Sequence, residues 1–368
     1  MEKIKRKIKR KIKRKIKRKI KRKIKRFNNS GNSIKKKYMI IFLLLIIYYF
    51  IRKEKKIIIG VDISKTFLNL GGGPVSLQKG IAKVLNYESK KCKFISFKQI
   101  SPENIPKNID YFYNSYPLMK ESEYNLWKEK NRANSLLLGP NLVPSFWYGF
   151  PNKRYWSERN FRDLLLSTKA HVVHSIRVRD YLATRSNTTD LINKFIILRP
   201  CTNIMPKDIE SFENRENDII IFEKYKDENH GKEGAQLIEL FKNANKTVQR
   251  IVYGYYNKKN SLKLVNNTKF LIYFSFFDTG GLGLKEFQNQ GIIIFSHQED
   301  FIISNKTSYY IPELAYKDIK PAFNKIMNIM DEIIKIKPDT KLIAEINQEH
   351  NRCERALDDI CNGILNSK

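Results

Sequence analysis

The sequence predicts an α/β protein made of two Rossmann-like domains facing a cleft. Three observations carry that prediction. From Ile57 onward, short apolar runs of strand length alternate with amphipathic stretches of helical period, the rhythm of a parallel sheet with helices on both faces. The rhythm breaks at a polar segment with two prolines, Pro200–Asp218, and then restarts. Glycines follow apolar runs in both halves, at Gly71, Gly72 and Gly73 and again at Gly280 and Gly281, where a strand-to-helix turn needs a residue without a Cβ.

The elements follow in order. IIIGV (Ile57–Val61) is a continuous apolar run and reads as a strand buried on both faces. Behind the glycines, Leu77, Ile81, Val84 and Leu85 recur at helical spacing. KFISF, IDYFY, NSLLLGP, KAHVVHS and NKFIILRP are further strand candidates, with a helix around Arg177–Ala183 between the last two. After the linker, IIIFEKY (Ile219–Tyr225) is a strand, EGAQLIELFKNA a helix and KTVQRIVYGYY a strand. A charged stretch, Asn257–Asn267, precedes the strand KFLIYFS, the helix GLGLKEFQNQG and the strand GIIIFS. The tail from Pro312 is helical, with Ile326, Ile329, Ile333 and Ile334 on one side. The expected domains are residues 57–205 and 206–335, with helices over 336–368.

The N-terminus is of a different kind. Residues 1–37 hold six copies of KIKR, with eighteen positive charges opposed by Glu2 alone. An isoleucine every fourth residue drifts by about 40° per repeat around a helix, so no apolar stripe forms, and self-repulsion favours a disordered arm. The arm holds nothing that could perform chemistry. Residues 38–51, YMIIFLLLIIYYFI, are fourteen apolar or aromatic residues between lysine clusters. They would rise about 21 Å as a helix, short of a full span but within reach of snorkelling lysines and arginines. The flanking charge predicts a transmembrane signal anchor with the arm cytosolic and the body lumenal or extracytoplasmic, a single-pass type II protein.

Composition excludes several classes. The body is only mildly basic and shows no zinc spacing, basic zipper or ribonucleoprotein motif, so no nucleic-acid partner is expected. Cys92, Cys201, Cys353 and Cys361 are too few and scattered to predict a disulfide scaffold or a zinc site. Five Asn-x-Ser/Thr sequons lend weak support to a lumenal body. His171 and His174 bracket a buried strand and read as core histidines, and core packing is at least as good a reading of Trp127, Trp147 and Trp156 as stacking on a sugar.

The chemistry concentrates in YFSFFDTGGLGLKEFQNQGIIIFS. Asp278 and Glu286 flank Gly280 and Gly281, between an apolar strand and a helix. Such a turn lets a ligand approach the backbone, and helix N–H groups favour an anion. Ligands of open α/β sheets bind at the carboxyl ends of strands, where this turn lies.

This segment resembles the donor motif of GT-B-fold glycosyltransferases, the group 1 and glycogen-phosphorylase-like superfamily, in which two acids separated by seven residues bracket a glycine turn. The resemblance implies that Glu286 holds the ribose of a nucleotide sugar, and that Asp278 lies near the transferred sugar as the catalytic acid position. Gly280 and Gly281 would line the donor site, and Lys224 and Lys232 would meet the donor diphosphate where the family has an arginine and a lysine. Gly71, Gly72 and Gly73 would form the acceptor-side loop. Implied with these are a metal-independent hexosyltransferase without a cofactor, a nucleotide-sugar donor, retention of configuration, and a glycan, lipid or protein acceptor at a membrane. The alternative is a catalytically inactive sugar-binding or scaffold protein of the same fold.

Overall fold

A computed structural model of the chain describes residues 56–62, 73–84, 87–97, 103, 106, 108–114, 121–139, 158–202, 204–224, 231–275 and 280–367. The KIKR arm, the apolar segment 38–51, Gly71, Gly72 and Asp278 lie outside them. Among the described residues, no helix is long and apolar enough to cross a membrane.

Residues 57–368 form one compact unit holding two parallel sheets. The first has six strands: β1 (Ile57–Asp62), β2 (Cys92–Phe97), β3 (Tyr111–Asn114), β4 (Leu136–Leu138), β5 (Ala170–Val173) and β6 (Phe195–Ile197), in the order β2-β1-β3-β4-β5-β6. Its helices are α1 (Gly73–Lys83), α2 (Glu121–Glu129), α3 (Glu158–Ser167) and α4 (Ile176–Arg185). The side-chain period of two divides each strand between two cores. Ile59, Val61, Tyr113, Leu137 and Val172 join Leu77 and Ile81 of α1. Phe112, Leu136, Leu138 and Val173 join α2, α3 and α4. Trp127 belongs to this second core, and His171 lies edge-on between two of its members, Phe161 and Phe195.

The second sheet has five strands: β7 (Asn217–Lys224), β8 (Val248–Val252), β9 (Thr268–Ser275), β10 (Ile293–Ser296) and β11 (Ser308–Tyr310), in the order β11-β10-β9-β7-β8. The helices α5 (Gly231–Asn243) and α8 (Lys320–Ile336) cover one face, and α6 (Lys258–Asn266) and α7 (Leu282–Gln288) the other. Within Asn257–Asn267, expected only as a charged stretch, Lys258–Asn266 is the helix α6. Asn257 caps it by accepting from the Asn260 N–H at 3.1 Å, and Val265 is fully buried against the sheet.

Between the sheets, the linker is fastened rather than loose. Arg215 is 1 % exposed and donates to the carbonyls of Thr268 (2.7 Å), Gln290 (2.8 Å) and Glu210 (3.3 Å). Burial pushes its guanidinium down to about 10, and charge-assisted bonds to three carbonyls offset the desolvation.

The chain then returns. After α9 (Thr340–His350), the last helix, α10 (Cys353–Asn366), packs on the first sheet. Ala356, Leu357, Ile360 and Ile364 complete the core around Ile59, and burying three large aliphatic side chains is worth about 5–9 kcal/mol. Gly363 admits the contact, because a Cβ there would lie 2.5 Å from Ile196. Arg199 grips Asp359 bidentately at 2.7 and 2.8 Å. The cysteines correct the sequence reading. Cys92–Cys361 and Cys201–Cys353 are both disulfides, and both tie α10 to the first half. Their partners stand 269 and 152 residues apart, so only the return of the last helix reveals the pairing.

Candidate functional site

In each sheet the order reverses beside the first strand, between β1 and β3 and between β7 and β9. Helices leave in opposite directions at such a point and open a crevice at the carboxyl ends. In the second sheet those ends are Lys224 and Ser275, paired across the two strands.

Beyond Ser275, Gly280 and Gly281 lead into α7. Gly281 caps the helix with φ 54°, the left-handed region in which a Cβ is disfavoured. A Cβ there would also lie 2.5 Å from the Phe301 ring. The helix is buried nearly all round, because α1 and α9 pack on it as well as its own sheet. Leu282 belongs to the core of the first half, with Leu77 of α1, so the helix behind Gly73 and the helix behind Gly281 meet between the two sheets.

Glu286 stands on α7 with a side chain 5 % exposed. Its Oε1 accepts from Lys258 Nζ at 2.6 Å, and Lys258 is the first residue of α6. Tyr256 lies alongside, its ring against Phe222 and Phe287. Burial, then the Glu286 charge, pushes its hydroxyl up to about 12. The neighbouring Lys285 is buried, with its ammonium 5.8 Å from the Phe301 ring centroid and pushed down to about 8 by burial.

Gly280, Gly281 and Glu286 are thus brought together by α7, and Lys224 sits at the adjoining strand end, 4.6 Å from the Tyr253 ring centroid. Lys232 is exposed on the first turn of α5, and Gly73 opens α1. Glu223, unremarked in the sequence, is fully buried at the end of β7. Arg250 of β8 donates to its Oε2 at 2.8 and 2.6 Å, while its Oε1 has no hydrogen-bond partner among the described residues. Sequence reasoning also missed Lys258 and Tyr256. The capping Asn257 ahead of Leu262 and Val265 was the available signal.

The two halves touch at this site. His174, one residue past β5, is buried and lies against Gly280, where a Cβ would come within 2.6 Å of its ring. Arg177 of α4 reaches Asp300 Oδ2 at 3.1 Å and Gln298 Oε1 at 2.8 Å, both just beyond β10.

No protein-family model matches the sequence, and no curated protein matches it. Solved structures do match its shape. A sucrose-phosphate synthase from Thermosynechococcus elongatus superposes with a TM-score of 0.51 at 11 % identity, over 83 % of this chain and 98 % of that one. The catalytic domain of starch synthase IV from Arabidopsis thaliana, bound to ADP and acarbose, reaches 0.48 at 9 % identity, over 84 % and 99 %. Anabaena HepE in complex with UDP and glucose reaches 0.48 at 12 %, over 83 % and 98 %. At 11 % identity the likeness to the sucrose-phosphate synthase shows a shared fold alone.

Proposed function

From a chain with the two-domain GT-B fold, we propose a membrane-anchored glycosyltransferase that moves a sugar from a nucleotide-sugar donor to an acceptor hydroxyl. One observation carries the reading. A carboxylate, Glu286, is held nearly out of solvent behind a left-handed glycine cap, where the strand order reverses. Such a carboxylate can accept hydrogen bonds from both hydroxyls of a ribose, and the contact with Lys258 keeps it aimed.

In this reading Lys224 and Lys232 stabilise the departing diphosphate, as point charges rather than bidentate partners. Asp278 attends the transferred sugar. The resemblance implies a metal-independent transfer, so turnover is expected to survive a chelator. The loop at Gly71, Gly72 and Gly73 meets the acceptor, a glycan, lipid or protein. The two disulfides suit an oxidising compartment, which supports a lumenal body behind an anchor at residues 38–51. The Lys258–Glu286 pair also favours a second reading, a sugar-binding scaffold in which Glu286 is structural.

The test uses residues 57–368, screened against nucleotide sugars for nucleotide release, beside Glu286→Gln. Release from one donor that the variant loses supports the enzyme. Nucleotide-induced thermal stabilisation without release, unchanged in Glu286→Gln, favours the scaffold. No release and no stabilisation from any donor overturns both.

A further inference from the structure

We propose that His174 and Arg177 are positioning residues, supplied by the first half of the molecule to the donor site of the second. The junction that carries them is rigid. Ser175 is extended (φ −157°, ψ 165°) and caps α4, its hydroxyl accepting from the Val178 N–H at 3.2 Å. The His174 ring is fixed on one edge by Nδ1, 3.2 Å from the Leu198 carbonyl oxygen. Its other edge abuts Gly280.

Three residues on, Arg177 donates to Gln298 Oε1 at 2.8 Å. The same Gln298 side chain donates through Nε2 to the carbonyl of Ser275, the last residue of β9. The side-chain amide is thus held at both ends, and the backbone N–H donates to Ser296 Oγ at 3.1 Å. Two side chains from one junction thereby reach both shoulders of the β9–α7 connection, His174 directly at Gly280 and Arg177 through Gln298 at Ser275. The distance between those shoulders sets where α7 begins, and with it the position of Glu286.

The consequence is a site that neither half completes alone. Contact between the halves places α7, and loss of that contact lets it shift. Positioning errors of about 1 Å cost on the order of 100-fold in turnover. The inference rests on the donor-site reading for its ligand, but its geometry can be tested apart from it.

Gln298→Glu is the sharpest variant. It keeps an acceptor for Arg177 and loses the donor to Ser275. Asp300→Asn does the converse, weakening the ion pair between the halves (3.1 Å) while leaving the relay. The full-length protein in detergent serves for all measurements, which are melting temperature, amide hydrogen exchange at Gly280–Leu282, and thermal response to UDP, ADP and GDP. Gln298→Glu and Arg177→Ala are expected to speed exchange at Gly280–Leu282 about tenfold, with melting within a few degrees of wild type and Asp300→Asn near wild type. Arg177→Lys, with one ammonium in place of the fork, should fall between. Where a donor supports turnover, kcat should drop about 10- to 100-fold with the donor KM little changed. Exchange at Gly280–Leu282 equal to wild type in both Gln298→Glu and Arg177→Ala overturns the inference, whatever the nucleotides do. Faster exchange with no response to any nucleotide upholds the positioning role and counts against the donor-site reading instead.

Discussion

Replacing His171 with phenylalanine should remove a measurable part of the protein's sensitivity to acid. His171 is 1 % exposed, and neither ring nitrogen has a hydrogen-bond partner among the described residues. Burial pushes its imidazole down to about 3, against about 6.5 in an unfolded chain. Between those values the unfolded state binds a proton that the folded state refuses, so stability falls as the pH falls through about 6.5 toward 3. From pH 7 to 4.5 the loss from this one group is about 2–3 kcal/mol. At about 2–4 °C per kcal/mol for a domain of this size, that is about 5–10 °C in melting temperature. Burial also holds His297 and His350 down to about 4 each, so wild type should lose more than this in total. The assay is the melting temperature of wild type and His171→Phe at both pH values. A ring between Phe161 and Phe195 remains in the variant, so packing survives while the titration is deleted. The variant should melt higher at pH 7, with a pH difference smaller by about 5–10 °C. Parallel losses in the two proteins would refute the reasoning.

Four shorter predictions rest on other features. Arg215→Met takes the guanidinium donor from the buried Thr268 and Gln290 carbonyls, while the Glu210 carbonyl keeps Thr340, and should cost about 2 kcal/mol or more. A melting temperature within a degree of wild type would contradict the clamp. Breaking Cys92–Cys361 by Cys361→Ser should cost about 2–4 kcal/mol and expose Cys353–Asn366 to protease, and a helix that stays protected would show the bond to be incidental. Gly281→Ala forces a Cβ into a left-handed cap beside Phe301 and should cost about 1–2 kcal/mol, with donor binding weakened, whereas unchanged nucleotide response would separate the cap from the site. If the body is lumenal, Asn245 should carry a glycan, because it begins an Asn-Lys-Thr sequon at an exposed turn with φ 56°. No glycosidase-sensitive mass at Asn245, in an N-glycosylating host that modifies a control sequon added to the same chain, would count against a lumenal body.

The sheets were legible because parallel strands are buried on both faces and appear as unbroken apolar runs, as at Ile219–Phe222 and Phe270–Phe274. Gly280, Gly281 and Glu286 were legible too, since strand, turn and helix lie consecutively in the chain. What escaped is what the fold brings from afar. Lys258 meets Glu286 from a helix whose three lysines masked the burial of Ser261 and Val265. The apolar face of α10 announced a helix without saying which sheet it would cover. Arg177 and Gln298 are 121 residues apart, and nothing local to either marks a meeting between domains.

The last helix also dictates an order of manufacture. A ribosome adds about 5–20 residues per second, so roughly 300 residues separate Ile59 from its partners on α10 by some 15–60 s. Through that interval α1 covers only part of the Ile59 face of the first sheet, and Cys92 waits for a sulfur not yet synthesised. The half of the molecule that emerges first is therefore the half that matures last. A premature stop a few codons before Cys353 would spare the second sheet and leave the first unfinished: the end of the message completes the beginning of the protein.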